Sequence, residues 1–217
     1  MKRTTNIFFT SDFHIGHANS IIFDERPFRD LEHMHEVLIN NYNSTVRDTD
    51  TCYFLGDMGL CNSEYLTKVV SQLNGTKVLV LGNHDKGIDA MYKVGFDVVL
   101  HGATMQIAGE RVTMSHCPLL GVYREDTSSM TRSELKENWH GESREKYRIF
   151  STHDNGQFHL HGHVHSPNKG RSQKILGQQY DVGVCANNFR PVSISVIESW
   201  IAKTKGASDE RINASTE

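Results

Sequence analysis

Histidines and carboxylates gather in this sequence in short blocks that could bind metal ions or transfer protons. Of the 13 histidines in the chain, five fall within one short stretch. They are His153, His159, His161, His163 and His165. Because they alternate with apolar residues and glycine, a polyhistidine tag does not explain them. Histidine is the commonest metal ligand and titrates near neutral pH, so the stretch indicates metal binding or acid–base chemistry.

The same residue types recur elsewhere, each time after a run of apolar residues. The further blocks are Asp12-x-His14, Gly56-Asp57, Gly82-Asn83-His84-Asp85 and His116. Asp12 and His14 are two residues apart, so in extended backbone their side chains point to the same side. Gly82 allows the chain to leave a strand sharply. Each block alone is a weak signal, and it is their recurrence that favours a shared site.

The elements between these blocks predict a parallel α/β layer in the first half of the chain. Apolar strands are expected at 6–10, 51–55 and 78–81. Asp30 is a predicted N-cap of the helix after the first strand, and Ser63 begins the helix after the second. Since ligands collect at the carboxyl ends of parallel strands, the three blocks that follow these strands should share one rim.

The second half predicts short strands that deliver further histidines. Strands are expected at 97–100, 104–107, 111–114, 158–161 and 180–184, with a hairpin turn at 108–110. Ser195 and Glu198 resemble a capping box for a final helix. The chain is predicted to be a single domain over 1–205, with a flexible tail at 206–217. The polar segment 123–148 is either a lid over a substrate pocket or a solvated insertion.

Composition limits the classes of function. The net charge of −3 gives no global basic surplus, so a nucleic-acid partner is not favoured. No apolar run approaches the roughly 18–20 residues that span a bilayer, so no membrane partner is expected. Four scattered cysteines and the lack of a signal-peptide pattern predict a reduced, cytoplasmic protein. The sequence leaves the oligomeric state open.

Together, and in this order, the five blocks resemble the motifs of the calcineurin-like metallophosphoesterase superfamily. They run from Asp12 to Gly162-His163-Val164-His165. Within the superfamily, two stretches look like a group of small bacterial and phage-type phosphoesterases. These are Ser11–His17 with Asn19 and Arg26-Pro27-Phe28, and Val182-Gly183-Val184 with Asn187 and Arg190-Pro191-Val192-Ser193.

The resemblance implies a four-layer α/β/β/α sandwich that holds two divalent metal ions. The implied ligands of one ion are Asp12, His14, Asp57 and His165. Asp57 would bridge to a second ion, completed by Asn83, His116 and His163. The mixed nitrogen and oxygen donors make Mn²⁺ the first choice, with Fe, Ni²⁺, Zn²⁺ and Mg²⁺ as alternatives.

The implied activity is hydrolysis of a phosphoester, with a phosphodiester of a nucleotide or other small molecule favoured over a monoester. A hydroxide bridging the two ions would attack phosphorus, and His84 would protonate the leaving oxygen. Asp85 would orient His84. The alternatives are a non-catalytic binding scaffold on the same fold, which the presence of both Asn83 and His84 disfavours, and a nuclease.

Other polar residues have less specific expectations. His17 is predicted to contact substrate or to support a metal ligand from outside the ligand set, while Arg26 would bind a substrate phosphate or pack a loop. His159 and His161 are interpreted as core histidines of a strand. The remaining histidines are interpreted as surface residues: His33, His35, His101, His140 and His153.

Overall fold

The structure is a computed structural model that describes residues 5–119, 148–165 and 178–214. The first half alternates strands and helices: β1 (Ile7–Thr10), α1 (Asn19–Phe23), α2 (Leu31–Asn43), β2 (Thr51–Phe54), α3 (Ser63–Val70), β3 (Thr76–Val80) and α4 (Ile88–Val94). The second half comprises β4 (Val98–Leu100), β5 (Ala103–Ile107), β6 (Glu110–Met114), β7 (Phe158–His161), β8 (Gln179–Asp181), β9 (Val192–Ser193) and α5 (Ile194–Ala214). Short 3₁₀ turns lie at Arg148–Phe150 and Val184–Ala186.

The strands form two sheets, both rich in parallel pairs. The first has the order β4-β3-β2-β1-β9, in which β1 to β4 are parallel and β9 is antiparallel to β1. The second has the order β5-β6-β7-β8, in which an antiparallel hairpin is followed by parallel pairs. The mixed α/β class predicted from the sequence is therefore present.

Alternate residues of the first sheet enter two separate apolar cores. Phe8 and Leu79 face a core that also contains Leu38 of α2, whereas their neighbours Phe9 and Val80 face a second core. That second core lies between the sheets, because strand residues of both sheets contribute to it. Strands covered on both faces read as continuous apolar runs, which is why β3 carries no alternation in its sequence. Helices, first sheet and second sheet are thus successive layers.

The four-layer sandwich stays a prediction, because it needs a further helical layer on the second sheet. Helix α5 adds Ile197 and Ile201 to the core between the sheets. It continues to Ala214, well into the segment expected to be a flexible tail. Of the polar insertion predicted at 123–148, residues 123–147 lie outside the described part of the chain. The lid therefore stays a prediction.

Several local predictions are confirmed. The Asp30 side chain accepts a hydrogen bond from the His33 amide and caps α2. Ala108 and Gly109 both have positive φ angles, 52° and 80°, as a tight hairpin turn between β5 and β6 requires. Helix α3 begins at Ser63 as expected, although the side chain that caps it belongs to Asn62.

Other local predictions are wrong or incomplete. Helices α1 and α4 were not predicted, because each is only five to seven residues long and lacks a side-chain cap. Ser195 lies inside the first turn of α5, and its hydroxyl contacts Ser193 Oγ instead of forming a capping box with Glu198. No helix within the described ranges is long and apolar enough to cross a membrane. All four cysteines are free thiols.

The buried Asp50 carboxylate holds the start of β2, the strand whose other end leads to Asp57. Asp50 accepts hydrogen bonds from the Asn6 amide and from the Arg47 amide and guanidinium, each at 3.0 Å. Its main-chain carbonyl accepts from the Thr76 amide at the start of β3. The hydrogen bonds from the Arg47 side chain are the main reason why the Asp50 pKa is lowered to about 2, although burial opposes the shift.

We expect Asp50→Asn to lower the free energy of unfolding by about 1–3 kcal/mol, because an amide nitrogen would face donors. The wild-type pKa is depressed, so the stabilisation is complete above about pH 4 and is lost as the pH falls towards 2. Urea denaturation from pH 2 to 7 measures both effects. Exposed Asp48→Asn is the control, and equal denaturation midpoints for the two variants would contradict the anchor.

Candidate metal centre

The predicted strand ends meet at one edge of both sheets. The loops after β1 and β2 run side by side, with the Asp12 amide bonded to the Gly56 carbonyl and the His14 amide to the Asp57 carbonyl, both at 3.1 Å. The loops of the second sheet join them, because the His163 amide donates to Asp12 Oδ2 at 3.0 Å. Parallel strands that end together therefore bring residues as distant in sequence as Asp12 and His163 into one site.

The backbone at this edge is in an unusual conformation. Five of the predicted ligands have positive φ angles between 44° and 68°. They are Asp12, His14, Asp57, His163 and His165. Residues other than glycine seldom adopt this region, and such strain concentrates at functional sites. The left-handed turns allow consecutive or alternate side chains to converge.

Two glycines are needed because carboxylates lie against their backbone. A Cβ atom added at Gly82 would collide with Asp57 Oδ1 and the Asp57 amide. A Cβ at Gly162 would collide with Asp12 Oδ2 and with the Ser11 side chain. The Gly-Asn-His-Asp and Gly-His-x-His blocks therefore require glycine for close packing.

One donor set lies around Asp12. His165 Nε2 is 3.3 Å from Asp12 Oδ1, and His14 Nε2 is 3.8 Å from the same oxygen. The two imidazole nitrogens face each other at 2.8 Å. His14 Nε2 also lies 3.7 Å from Asp57 Oδ2, so this set is continuous with the next one.

A second donor set lies around His116. Its Nε2 is 3.0 Å from Asn83 Oδ1, 3.3 Å from His163 Nδ1 and 3.4 Å from Asp57 Oδ2. The other ring nitrogen, Nδ1, donates to the Leu55 carbonyl at 2.7 Å. Because that bond occupies Nδ1, Nε2 is the ring nitrogen directed into the site. Asp57 Oδ2 is shared by both sets.

Burial and nearby charges shift the pKa values of the carboxyl groups and imidazoles of the site in different directions. The pKa values of Asp12 and Asp57 are lowered, because the neighbouring imidazoles outweigh the effect of burial. Burial alone would lower the pKa of His116 and His165, yet carboxylates raise these values to about 9 and about 10. In contrast, burial is the main reason why the pKa of His14 is lowered to about 3 and that of His163 to about 4.

The residues of the two donor sets fit the binding of divalent metal. Asp12 Oδ1 is buried and has no hydrogen-bond partner, a state that costs free energy unless a bound group satisfies this oxygen. Carboxylate, amide and imidazole donors suit the transition metals named above. Cys117 was not predicted at the site, but its thiol forms a group with His116 and His163 in which the donor atoms lie within 4.8 Å. The nitrogen and oxygen ligand set that the sequence indicated stays a prediction, with a thiol beside it.

His84 and His17 border the two donor sets, and neither residue is fully buried. The His84 side chain is 42% exposed, and its Nε2 lies 3.9 Å from Asp57 Oδ2. Its amide donates to Asp57 Oδ1 at 2.9 Å, which fixes the loop. The His17 and His84 rings lie 5.6 and 5.7 Å from the ring of His14. Both imidazoles therefore lie beside the donor sets.

Asp85 does not occupy its expected position beside the His84 imidazole. Its carboxylate accepts hydrogen bonds from the amides of Asp57, Met58 and Gly82 at 2.8–2.9 Å. Burial and then the charge of Asp57 raise its pKa to about 6, opposed by these amides. Asp85 thus holds the backbone around Asp57, and its effect on His84 is indirect.

Arg26 packs a loop, the second of the two alternatives that the sequence left open. Its side chain is fully buried. The guanidinium donates to the carbonyls of Asp12 and Phe13 at 3.0 and 3.2 Å and also contacts the Asp24 carboxylate. With these partners it is engaged in the protein and unavailable to a substrate phosphate.

Other histidines are partly as expected. His159 and His161 are fully buried in β7, which confirms their interpretation as core residues. His35 was expected at the surface but is buried, where Nε2 accepts from the Gly16 amide and Nδ1 pairs with the Tyr65 hydroxyl. Asp24, which contacts His165, had no motif around it, and only the fold reveals its place.

Comparisons with known proteins find relatives without an assigned activity. No family model matches the sequence. An uncharacterised protein from Methanocaldococcus jannaschii is 44% identical over 82 residues, which cover 37% of this chain and 47% of that protein. The chain thus matches about half the length of this relative. The gene 66 protein of mycobacterium phage L5 is 29% identical over 84% of this chain and 87% of its own.

A solved structure of a protein from Aquifex aeolicus shares the fold. The crystal structure of a protein of unknown function from Aquifex aeolicus is 25% identical, with a TM-score of 0.63 over 90% of this chain and 99% of that one. An archaeal phosphodiesterase and the NAD nucleotidase of Haemophilus influenzae also align, at TM-scores of 0.35 and 0.31. Scores this low carry no argument about this chain.

We expect Asp85→Ala to lower the free energy of unfolding by about 3 kcal/mol or more, because three amides lose their acceptor. Chemical denaturation measures the change. The control is Asp89→Ala in the first turn of α4, an exposed carboxylate whose loss should cost about 0.5 kcal/mol or less. Equal losses in the two variants would contradict the role of Asp85.

Proposed function

We propose that this protein is a metal-dependent phosphoesterase that hydrolyses a phosphodiester of a nucleotide or another small molecule. The observation that carries the proposal is the sharing of one buried carboxylate oxygen by two donor sets. Asp57 Oδ2 lies 3.4–3.9 Å from imidazole nitrogens of His14, His84 and His116, which follow three different strands. Two of these imidazoles are buried and one is open to solvent.

The two donor sets would each hold one divalent ion. Asp12, His14, Asp57 and His165 would bind the first, and Asp57, Asn83, His116 and His163 the second. Bound ions would supply an activated water and neutralise the charge that develops on the phosphoryl group. Mn²⁺ is the first choice for this set, followed by Fe, Ni²⁺, Zn²⁺ and Mg²⁺.

His84 would protonate the leaving oxygen. Its main-chain bond to Asp57 Oδ1 fixes the residue beside the donor sets, while the imidazole is free to reach a substrate. Asp85 supports the position of His84 indirectly, because its carboxylate accepts hydrogen bonds from the amides of Asp57 and Met58. His17 would also contact the substrate, since its ring lies 5.6 Å from that of His14. Its pKa is lowered by burial and then by the proximity of His84.

The engagement of Arg26 favours a diester over a monoester. A terminal phosphate carries two negative charges, and a bidentate guanidinium is the side chain best suited to it. Here that guanidinium is buried and bonded to protein acceptors. A diester carries one negative charge and depends less on such a cation.

Hydrolysis by metal-stripped protein tests the proposal, with Mn²⁺, Ni²⁺, Zn²⁺ or Mg²⁺ added back. We expect bis-p-nitrophenyl phosphate to be cleaved faster than p-nitrophenyl phosphate once a transition metal is present. His84→Ala should lower turnover by about 10²–10⁴-fold without loss of metal, because general acid catalysis contributes that much. His101→Ala, an exposed histidine outside the site, is the matched control.

Three results would count against this proposal. Full activity of His84→Ala would remove His84 from the mechanism. Faster monoester cleavage would overturn the diester preference. Lack of hydrolysis of either ester by protein that contains two ions would favour a binding scaffold.

We expect Asp57→Asn to lower the metal content from two ions per chain to fewer than one. The amide keeps an acceptor for the His84 amide, so the loop should persist, but it removes the negative charge shared by both sets. Metal analysis after gel filtration measures the content, with circular dichroism to verify folding and exposed Asp89→Asn as the control. Retention of two ions would refute Asp57 as the shared ligand.

A further inference from the structure

Asp24 lies between a candidate metal ligand and a buried arginine. Its Oδ1 accepts a hydrogen bond from His165 Nδ1 at 2.9 Å. Its Oδ2 accepts from Arg26 Nε at 3.2 Å and lies 3.1 Å from Arg26 Nη2. The Asp24 side chain is only 10% exposed, so water screens these contacts weakly. Each carboxylate oxygen thus has a separate partner.

The bond to Asp24 determines how His165 faces the site. A carboxylate only accepts, so His165 Nδ1 must carry the proton that joins them. The opposite nitrogen, Nε2, then points towards Asp12 Oδ1 and His14 Nε2, at 3.3 and 2.8 Å. The imidazole ring is held at both ends, and its metal-facing atom is defined.

Arg26 in turn fixes Asp24 relative to the first donor set. The same guanidinium that contacts Asp24 donates to the main-chain carbonyls of Asp12 and Phe13. Those carbonyls belong to the loop in which Asp12 and His14 have positive φ angles. A planar guanidinium with donors in fixed directions can join a carboxylate and two carbonyls, which a lysine ammonium cannot do with the same geometry.

We propose that Asp24 is a positioning residue for His165, and that Arg26 holds Asp24 in place. The pair would keep Nε2 of His165 directed at the ion of the first donor set and thereby set the affinity of that ion. This inference rests on the proposed metal site. It gives the Asp24-x-Arg26 segment a function that differs from phosphate binding.

A purely structural ion pair would behave differently from a positioning residue. If Asp24 only stabilised the end of α1, its loss would lower the unfolding midpoint and leave the His165 ring unchanged. If it positions His165, its loss must alter the Nδ1 proton and the affinity of one ion. Carboxylates that orient ligating histidines typically change metal affinity 10–100-fold when removed.

The test compares Asp24→Ala and Asp24→Asn with Glu25→Gln, the exposed carboxylate next in the chain. In ¹⁵N-histidine-labelled protein, His165 is assigned by its absence in His165→Gln. We expect wild type and Glu25→Gln to show a slowly exchanging, downfield Nδ1 proton on His165, with and without Zn²⁺. Asp24→Ala should lose it. Titration calorimetry with Mn²⁺ should show one site weakened about 10–100-fold in Asp24→Ala, less in Asp24→Asn, and the other site unchanged.

An unchanged His165 proton in folded Asp24→Ala would overturn the inference. So would Mn²⁺ affinities that equal those of the wild type at both sites. Equal weakening of both sites would do the same, since Asp24 contacts one set only. If wild-type protein binds no metal, the proposed function fails. The His165 proton would still decide whether Asp24 positions this ring, so the two failures are distinguishable.

Discussion

The contacts of the buried Asp57 carboxylate are the interactions on which the remainder of the site depends. The carboxylate is buried, its Oδ1 accepts from the His84 amide, and its Oδ2 lies near three imidazoles. A buried carboxylate is costly unless opposite charges and hydrogen bonds compensate. His116 provides the nearest compensation at 3.4 Å, and this pairing is why its pKa is raised in spite of burial. The same need for positive charge makes the position attractive to a cation.

The backbone carries a second constraint, because one carboxylate can serve two donor sets only if several loops approach it closely. Asp12, Asp57 and His163 turn into left-handed conformations at the strand ends. Such conformations cost of order 1–3 kcal/mol each, and they persist where surrounding contacts determine them. Asp85 supplies some of those contacts through three amides, and Gly82 leaves room for Asp57 against its backbone.

Groups outside the donor sets act mainly on orientation. Arg26 engages the carbonyls of the loop that carries Asp12, and Asp24 connects the same guanidinium to His165. His35 reaches the loop from α2, with Nε2 on the Gly16 amide and Tyr65 behind it. Arg26, which the sequence left available for a substrate phosphate, is therefore committed to the protein. His84 and His17 lie beside the donor sets.

The sequence by itself determined the strand–helix alternation and which residues would collect at one edge. Both follow from local rules: apolar runs mark buried strands, parallel strands deliver their ends to one rim, and Asp30 caps a helix wherever its side chain can reach an amide. These rules located Asp12, Asp57 and His116, whose role as metal ligands stays a prediction. The short helices α1 and α4 escaped because their sequences carry little periodicity.

Only the tertiary structure decided the partners of the polar groups. Arg26 binds carbonyls, Asp85 binds amides, and Asp24 binds an imidazole 141 residues away in sequence. No local pattern encodes these choices, because a carboxylate or guanidinium can take several partners of similar energy. Which one it takes depends on which unsatisfied group the packed layers bring within about 3 Å.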